Sequence, residues 1–158
     1  MSAELDIRED DLSGEQTRAL LALHVAGMEE TSPPGTCFVL DLSGLHVPEV
    51  TLWSAWQGDS LAGIGALKLL GDGTGEVKSM RTHPDHLRKG VGAALLEHII
   101  AAARAHRLWR LSLETGSGPD FEAALSLYRK RGFIEGEPFG DYVLTAFNRY
   151  FHLDLPAG

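Results

Sequence analysis

Residues 50 to 83, VTLWSAWQGDSLAGIGALKLLGDGTGEVKSMRTH, hold three runs of strand-like composition separated by GDS and GDGTG. Gly and Asp at such junctions suit the tight turns that join neighbouring antiparallel strands. The stretch therefore predicts a meander with strands near 50–57, 61–70 and 76–83.

Around the meander the period changes. SGEQTRALLALHVAGME carries apolar residues at helical spacing after Ser13, which stands in the capping position. TSPPG at 31–35 must end that helix, because paired prolines remove donors and restrict the residue before them. Residues 36–49 give no clear signal. Helical periodicity returns over 90–107 and 120–131, with Gly132 at the second stop, while ELDIRE, RLSLET and RYFHLDL read as strands. The order β, α, three β, α, β, α, β predicts one domain over residues 1–158 in the α/β (α+β) class. Its centre is a mixed sheet of six to seven strands flanked by helices.

Fourteen Lys and Arg against 22 Asp and Glu give a formal net charge of −8, which argues against a general nucleic-acid or anionic-membrane surface. Cys37 is the only cysteine, so no intramolecular disulfide forms and a reducing cytoplasm is the expected location. The acidic start has no signal-peptide pattern, and the longest apolar run, 91–103, is broken by Glu97 and His98, so no membrane span is expected. His83 and His86 lack a third ligand at a telling spacing, and no metal is expected.

Positive charge nevertheless gathers in HPDHLRKGVGAALLEHII. Arg88 and Lys89 stand beside Gly90 and Gly92, where a loop enters a helix whose first N–H groups lack intrahelical partners. Such an entrance can cradle a phosphate, although a short glycine pattern alone is more often a plain turn with solvated cations. GDGTG leads into a strand rather than a helix, and no GxxxxGK[ST] loop occurs.

In context, MRTHPDHLRKGVGAALLEHIIAAARAHRLWRLSLET followed by ALSLYRKRGF resembles the GNAT superfamily of acetyl-CoA-dependent N-acetyltransferases. The resemblance implies that Arg88, Lys89, Gly90, Val91, Gly92 and Ala93 surround the coenzyme A pyrophosphate. It also implies that the main chain of Met80, Arg81 and Thr82 pairs with the pantetheine arm, and that Tyr128 lies near the thioester sulfur as general acid. Two positions depart from the pattern: Leu87 replaces the usual Gln or Arg, and Phe121 stands where Asn is common beside the arm.

Acetyl transfer needs a held thioester, a deprotonated amine and a stabilised leaving group. Strict alternation along EVKSMRT would put Glu76, Lys78, Met80 and Thr82 on one face and Val77, Ser79, Arg81 and His83 on the other. Glu76 is a candidate base, or else the partner of Lys78 in a plain salt bridge; Glu114, at the end of the next strand, is the rival base and a substrate contact. Lys78 and Arg81 can recognise an anionic group on the acceptor, or simply be solvated. The resulting expectation is acetylation of a small-molecule primary amine. The alternatives are a non-catalytic acyl-CoA-binding module, which Leu87 and Phe121 favour, and acetylation of a protein amine. Many GNAT proteins dimerise, and a homodimer stays open here.

Overall fold

The GDS turn closes at Gly58, whose φ of 62° lies in the region that favours glycine, and joins β2 (Val50–Gln57) to β3 (Ser60–Leu69). GDGTG joins β3 to β4 (Thr74–Thr82), and both pairs are antiparallel, as the meander requires. The computed structural model describes residues 5–33, 42–45 and 47–156. Cys37 and the rest of 36–41 lie outside the described residues.

The meander is the heart of one seven-stranded sheet in the order β1-β2-β3-β4-β5-β7-β6. β1 (Asp6–Glu9) is the edge strand expected from ELDIRE. β5 (Arg110–Thr115) lies parallel to β4, and β7 (Arg149–Asp154) runs antiparallel to β5. β6 (Ile134–Gly136) adds three residues to the far edge. Its three residues, IEG, are too few to show alternation, so only pairing with β7 reveals it.

Helix α1 (Glu15–Thr31) starts one residue later than the Ser13 cap implies: Gly14 is the N-cap and no side chain caps it. Asp10 organises the approach instead, accepting the Leu12 N–H at 2.8 Å and the Thr17 hydroxyl at 2.9 Å. A four-residue helix, α2 (Leu42–Leu45), precedes the meander. α3 (Val91–Ala105) follows the cationic loop, and α4 (Glu122–Lys130) follows a 3₁₀ turn at Pro119–Phe121.

Neighbouring residues on one strand enter different apolar clusters, which shows both sheet faces covered. Leu52 and Ala66 join Leu20 and Leu21 of α1, whereas Trp53 and Leu67 join Leu95, Leu96 and Ile99 of α3 and Leu125 of α4. Toward β5 and β7 the sheet turns polar on one side, where Arg110, Ser112, His152 and Asp154 line an open cleft of about 1440 Å³.

One irregularity overturns the alternation expected for β4. Lys78 pairs with Ala66 and Arg81 with Ile64, so three steps on β4 oppose two on β3. The extra residue is Ser79, at a φ of 55°. This bulge reverses the parity beyond it. Met80 packs in the same core as Val77, and a Cβ added at Gly65 would lie 2.6 Å from its sulfur. Thr82 approaches Gly92 of α3, while Arg81 lies against Gly27 of α1. Met80 and Thr82 therefore share the α3 face, and Arg81 lies on the α1 side.

Candidate active site

β4 and β5 are parallel, but their pairing ends at Glu76 and Ser112. β5 then stays with β7, and the far end of β4 stays with β3. The two strands part, leaving a cavity of about 100 Å³ lined by Glu76, Lys78, Ser79 and Met80 of β4 and by Glu114 and Thr115 of β5. Phe121 of the 3₁₀ turn closes one side with Ala124 and Tyr128 of α4, and α1 reaches the other with His24 and Met28. The Glu76 and Lys78 side chains also border the larger cleft.

The parted strands place two carboxylates in contrasting surroundings. Glu76 Oε2 accepts from Lys78 Nζ at 3.0 Å and from the Tyr142 hydroxyl at 2.6 Å, and Lys78 donates in turn to Tyr142 at 2.9 Å. The Glu76 and Lys78 side chains are only 5% and 8% exposed, so the pair depends on that closed network. Burial raises the Tyr142 phenol above its ordinary pKa, with Glu76 adding to the shift, so it stays protonated and donating.

Glu114 has no cation in hydrogen-bonding contact among the described residues. It accepts from Asn148 Nδ2 at 2.7 Å, and Asn148 Oδ1 accepts from the Thr145 hydroxyl at 2.6 Å. Burial raises its carboxyl above the usual range, against smaller lowering effects from Asn148 and Lys78. A carboxyl whose pKa is raised beside a cavity is a stronger proton acceptor than an ordinary one.

Tyr128 is buried at the back of the cavity, its ring 5.8 Å from that of Phe133. Burial is the main cause of its raised phenol pKa, with the Glu114 charge second. Among the described residues its hydroxyl has no hydrogen-bond partner. Phe121 lines the same cavity and stacks edge-on with Phe147 at 5.6 Å, so an apolar pair fills the place where the family pattern has Asn.

The cationic loop leads into the helix expected after it. Gly90 is the α3 N-cap at a φ of 79°, no side chain caps the helix, and the first return bond runs from Ala94 N–H to Gly90 C=O at 3.0 Å. Val91, Gly92 and Ala93 thus present N–H groups without helical acceptors. Leu87, Arg88 and Lys89 are exposed around that entrance. The nearby histidines have local tasks: His86 Nε2 is hydrogen-bonded with Ser60 Oγ at 3.0 Å, and His83 Nδ1 accepts the Asp85 N–H at 3.1 Å. Among the described residues no cluster of three or more His, Cys, Asp or Glu is placed to hold a metal, and no helix is long and apolar enough to cross a membrane.

The sequence assigns no role to Tyr142, Asn148 or His24. Tyr142 and Asn148 lie in the aperiodic stretch between β6 and β7, and His24 reads as one more position on an amphipathic helix.

Parallel strands that separate beside a glycine-opened helix, with a cavity between them, match the scaffold of an acyltransferase. The chain belongs to the acetyltransferase (GNAT) family, whose model matches residues 17–133, and is an N-acetyltransferase. Its similarity to YedL, an uncharacterised N-acetyltransferase of Escherichia coli K12, is 50% identity over 94% of each chain. With YsnE of Bacillus subtilis, also an uncharacterised N-acetyltransferase, identity is 51% over 87% of this chain and 91% of the relative. A Bacillus subtilis acetyltransferase solved in complex with CoA shares the fold, with a TM-score of 0.72 and 22% identity over 97% of this chain and 100% of that one.

Proposed function

We propose that the protein transfers the acetyl group of acetyl-CoA to the primary amine of a small-molecule acceptor. The carrying observation is the cavity between β4 and β5, which brings Glu114 and Tyr128 to one space from different elements. In this reading the N–H groups of Val91, Gly92 and Ala93 hold the pyrophosphate, with Arg88 and Lys89 adding charge. The pantetheine arm runs along Met80, Arg81 and Thr82 toward the cavity, past Phe121.

The acceptor enters from the cleft side and loses its ammonium proton to Glu114. Its nitrogen attacks the thioester carbonyl; as the C–S bond breaks, Tyr128 hydrogen-bonds to the departing sulfur and gives it a proton, and the second proton that the nitrogen sheds in becoming an amide restores the phenol. Glu114 is favoured over Glu76 as base because Glu76 already accepts from Lys78 and Tyr142. Glu76 then acts as a fixed part of the wall.

A thiol-release assay over amino acids, polyamines, aminoglycosides and peptides tests the reaction. Release above the hydrolytic background with small amines supports the reading. Peptides as the best substrates would support acetylation of a protein amine instead, and coenzyme A binding without release for any amine would support the binding-module alternative.

The loop has its own test. Gly90→Asp puts a side chain on left-handed backbone, and Gly92→Glu puts one 3.3 Å from Leu127; each also sets a carboxylate beside the pyrophosphate. Both are expected to weaken coenzyme A binding at least about tenfold by calorimetry, the equivalent of about 1.4 kcal/mol. Unchanged affinity in both would remove the loop from the binding site.

A further inference from the structure

Resting on the transfer reading, we propose that the acceptor is an amino acid, and that Arg81, His24 and Ser79 form the subsite for its carboxylate.

The argument begins with the cations. Lys78 is engaged by Glu76 and Tyr142, which leaves little reason for it to seek a substrate anion. Arg81 differs. Its guanidinium makes no ion pair or hydrogen bond among the described residues, and it lies where a Cβ on Gly27 would come within 3.2 Å of Nη2. The Ser79 bulge puts it on the α1 side by shifting the alternation of β4 by one residue.

Two buried polar atoms add an independent observation. His24 is 5% exposed and Ser79 8%, both line the cavity that holds Glu114 and Tyr128, and His24 Nδ1 and Ser79 Oγ have no hydrogen-bond partner. Leaving such atoms unsatisfied destabilises a fold, so their presence in one cavity points to a ligand that completes them. Gly27 follows His24 by three residues on α1, so both lie on one helix face, and the Arg81 charge is near enough to act on the His24 imidazole. Burial first, and the Arg81 charge second, lower the His24 pKa to about 4. A neutral imidazole can exchange a hydrogen bond without adding a second cation.

These groups suit a carboxylate: a guanidinium grips two oxygens in its plane, and a hydroxyl and an imidazole can serve the remaining lone pairs. The anchored carboxylate leaves the amine of the same molecule to reach Glu114. A plain amine would have no counter-ion for Arg81 and no partners for His24 and Ser79.

The test uses matched triplets, each an amino acid, its carboxamide and its decarboxylated amine, with kcat and KM from thiol release. Binding to the CoA-saturated protein is measured by calorimetry alongside. The expected result is a preference for the carboxylate of about 10- to 100-fold in kcat/KM, lost in Arg81→Ala chiefly through KM and partly restored in Arg81→Lys. His24→Leu removes an unsatisfied buried group, so it should weaken amino-acid binding while leaving Tm unchanged or raised; a purely structural histidine would lower Tm and spare binding. Turnover of amines as good as that of amino acids, untouched by Arg81→Ala, would overturn the subsite and leave acetyl transfer standing. Carboxylate-dependent binding without turnover would uphold the subsite and overturn the transfer reading. Neither binding nor turnover of any amino acid would overturn the subsite, and turnover of the other amines would then decide the transfer reading.

Discussion

Tyr128→Phe is expected to lower kcat by about tenfold to ten-thousandfold, the range that a positioned proton donor contributes, with acetyl-CoA affinity unchanged. The ring keeps its contact with Phe133 and its place in the core, so the substitution removes a hydroxyl and little else. Burial and the Glu114 charge both hold the phenol in its protonated form, well above the ordinary value of about 10. The hydroxyl is therefore a donor throughout the working pH range, and wild-type kcat should show no alkaline limb from Tyr128. Single-turnover measurement separates the chemical step from product release, which could otherwise mask the loss. Wild-type single-turnover rates in Tyr128→Phe would return the residue to a packing role.

The uneven legibility of the site follows from which features are local. VTLWSAWQ, GDS and GDGTG carry their own strand and turn chemistry, and the structure places β2, β3 and β4 where these segments predict. LRKGVGA likewise announces a helix entrance with free donors, and Gly90 takes the left-handed conformation that such an entrance uses. The bulge was illegible because Ser79, not glycine, holds the positive φ, and no neighbouring turn residue marks it. Alternation then misplaced Met80, Thr82 and Arg81 relative to Glu76. The partners of the two carboxylates were hidden for another reason. Tyr142 reaches Glu76 across 66 residues and Asn148 reaches Glu114 across 34, from a segment without period, and only tertiary folding brings them together. In the sequence Glu76 is the first candidate for the base and Glu114 its rival, and it is these partners that favour Glu114.

That separation sets the second large effect. In Glu114→Gln the side chain keeps its shape and can still accept from Asn148, but no longer takes a proton; kcat/KM is expected to fall by about one hundredfold to ten-thousandfold at neutral pH. The sign of the pH dependence follows from the raised carboxyl. A base works only when ionised, so wild-type activity should be lost as pH falls through the Glu114 pKa, which burial places above the usual carboxylate range. Glu114→Gln should lack that acid limb and regain ground at alkaline pH, where more of the acceptor amine is already deprotonated. Glu76→Gln should behave differently. It removes the charge opposite Lys78 in a site where both side chains are nearly inaccessible, and breaking such a pair costs about 3–5 kcal/mol. Its main effect should therefore be a lower unfolding midpoint, with the acid limb of the remaining activity still present. If Glu76→Gln abolishes the limb and Glu114→Gln keeps it, the proton passes through Glu76, and the Lys78–Tyr142 network becomes part of the base.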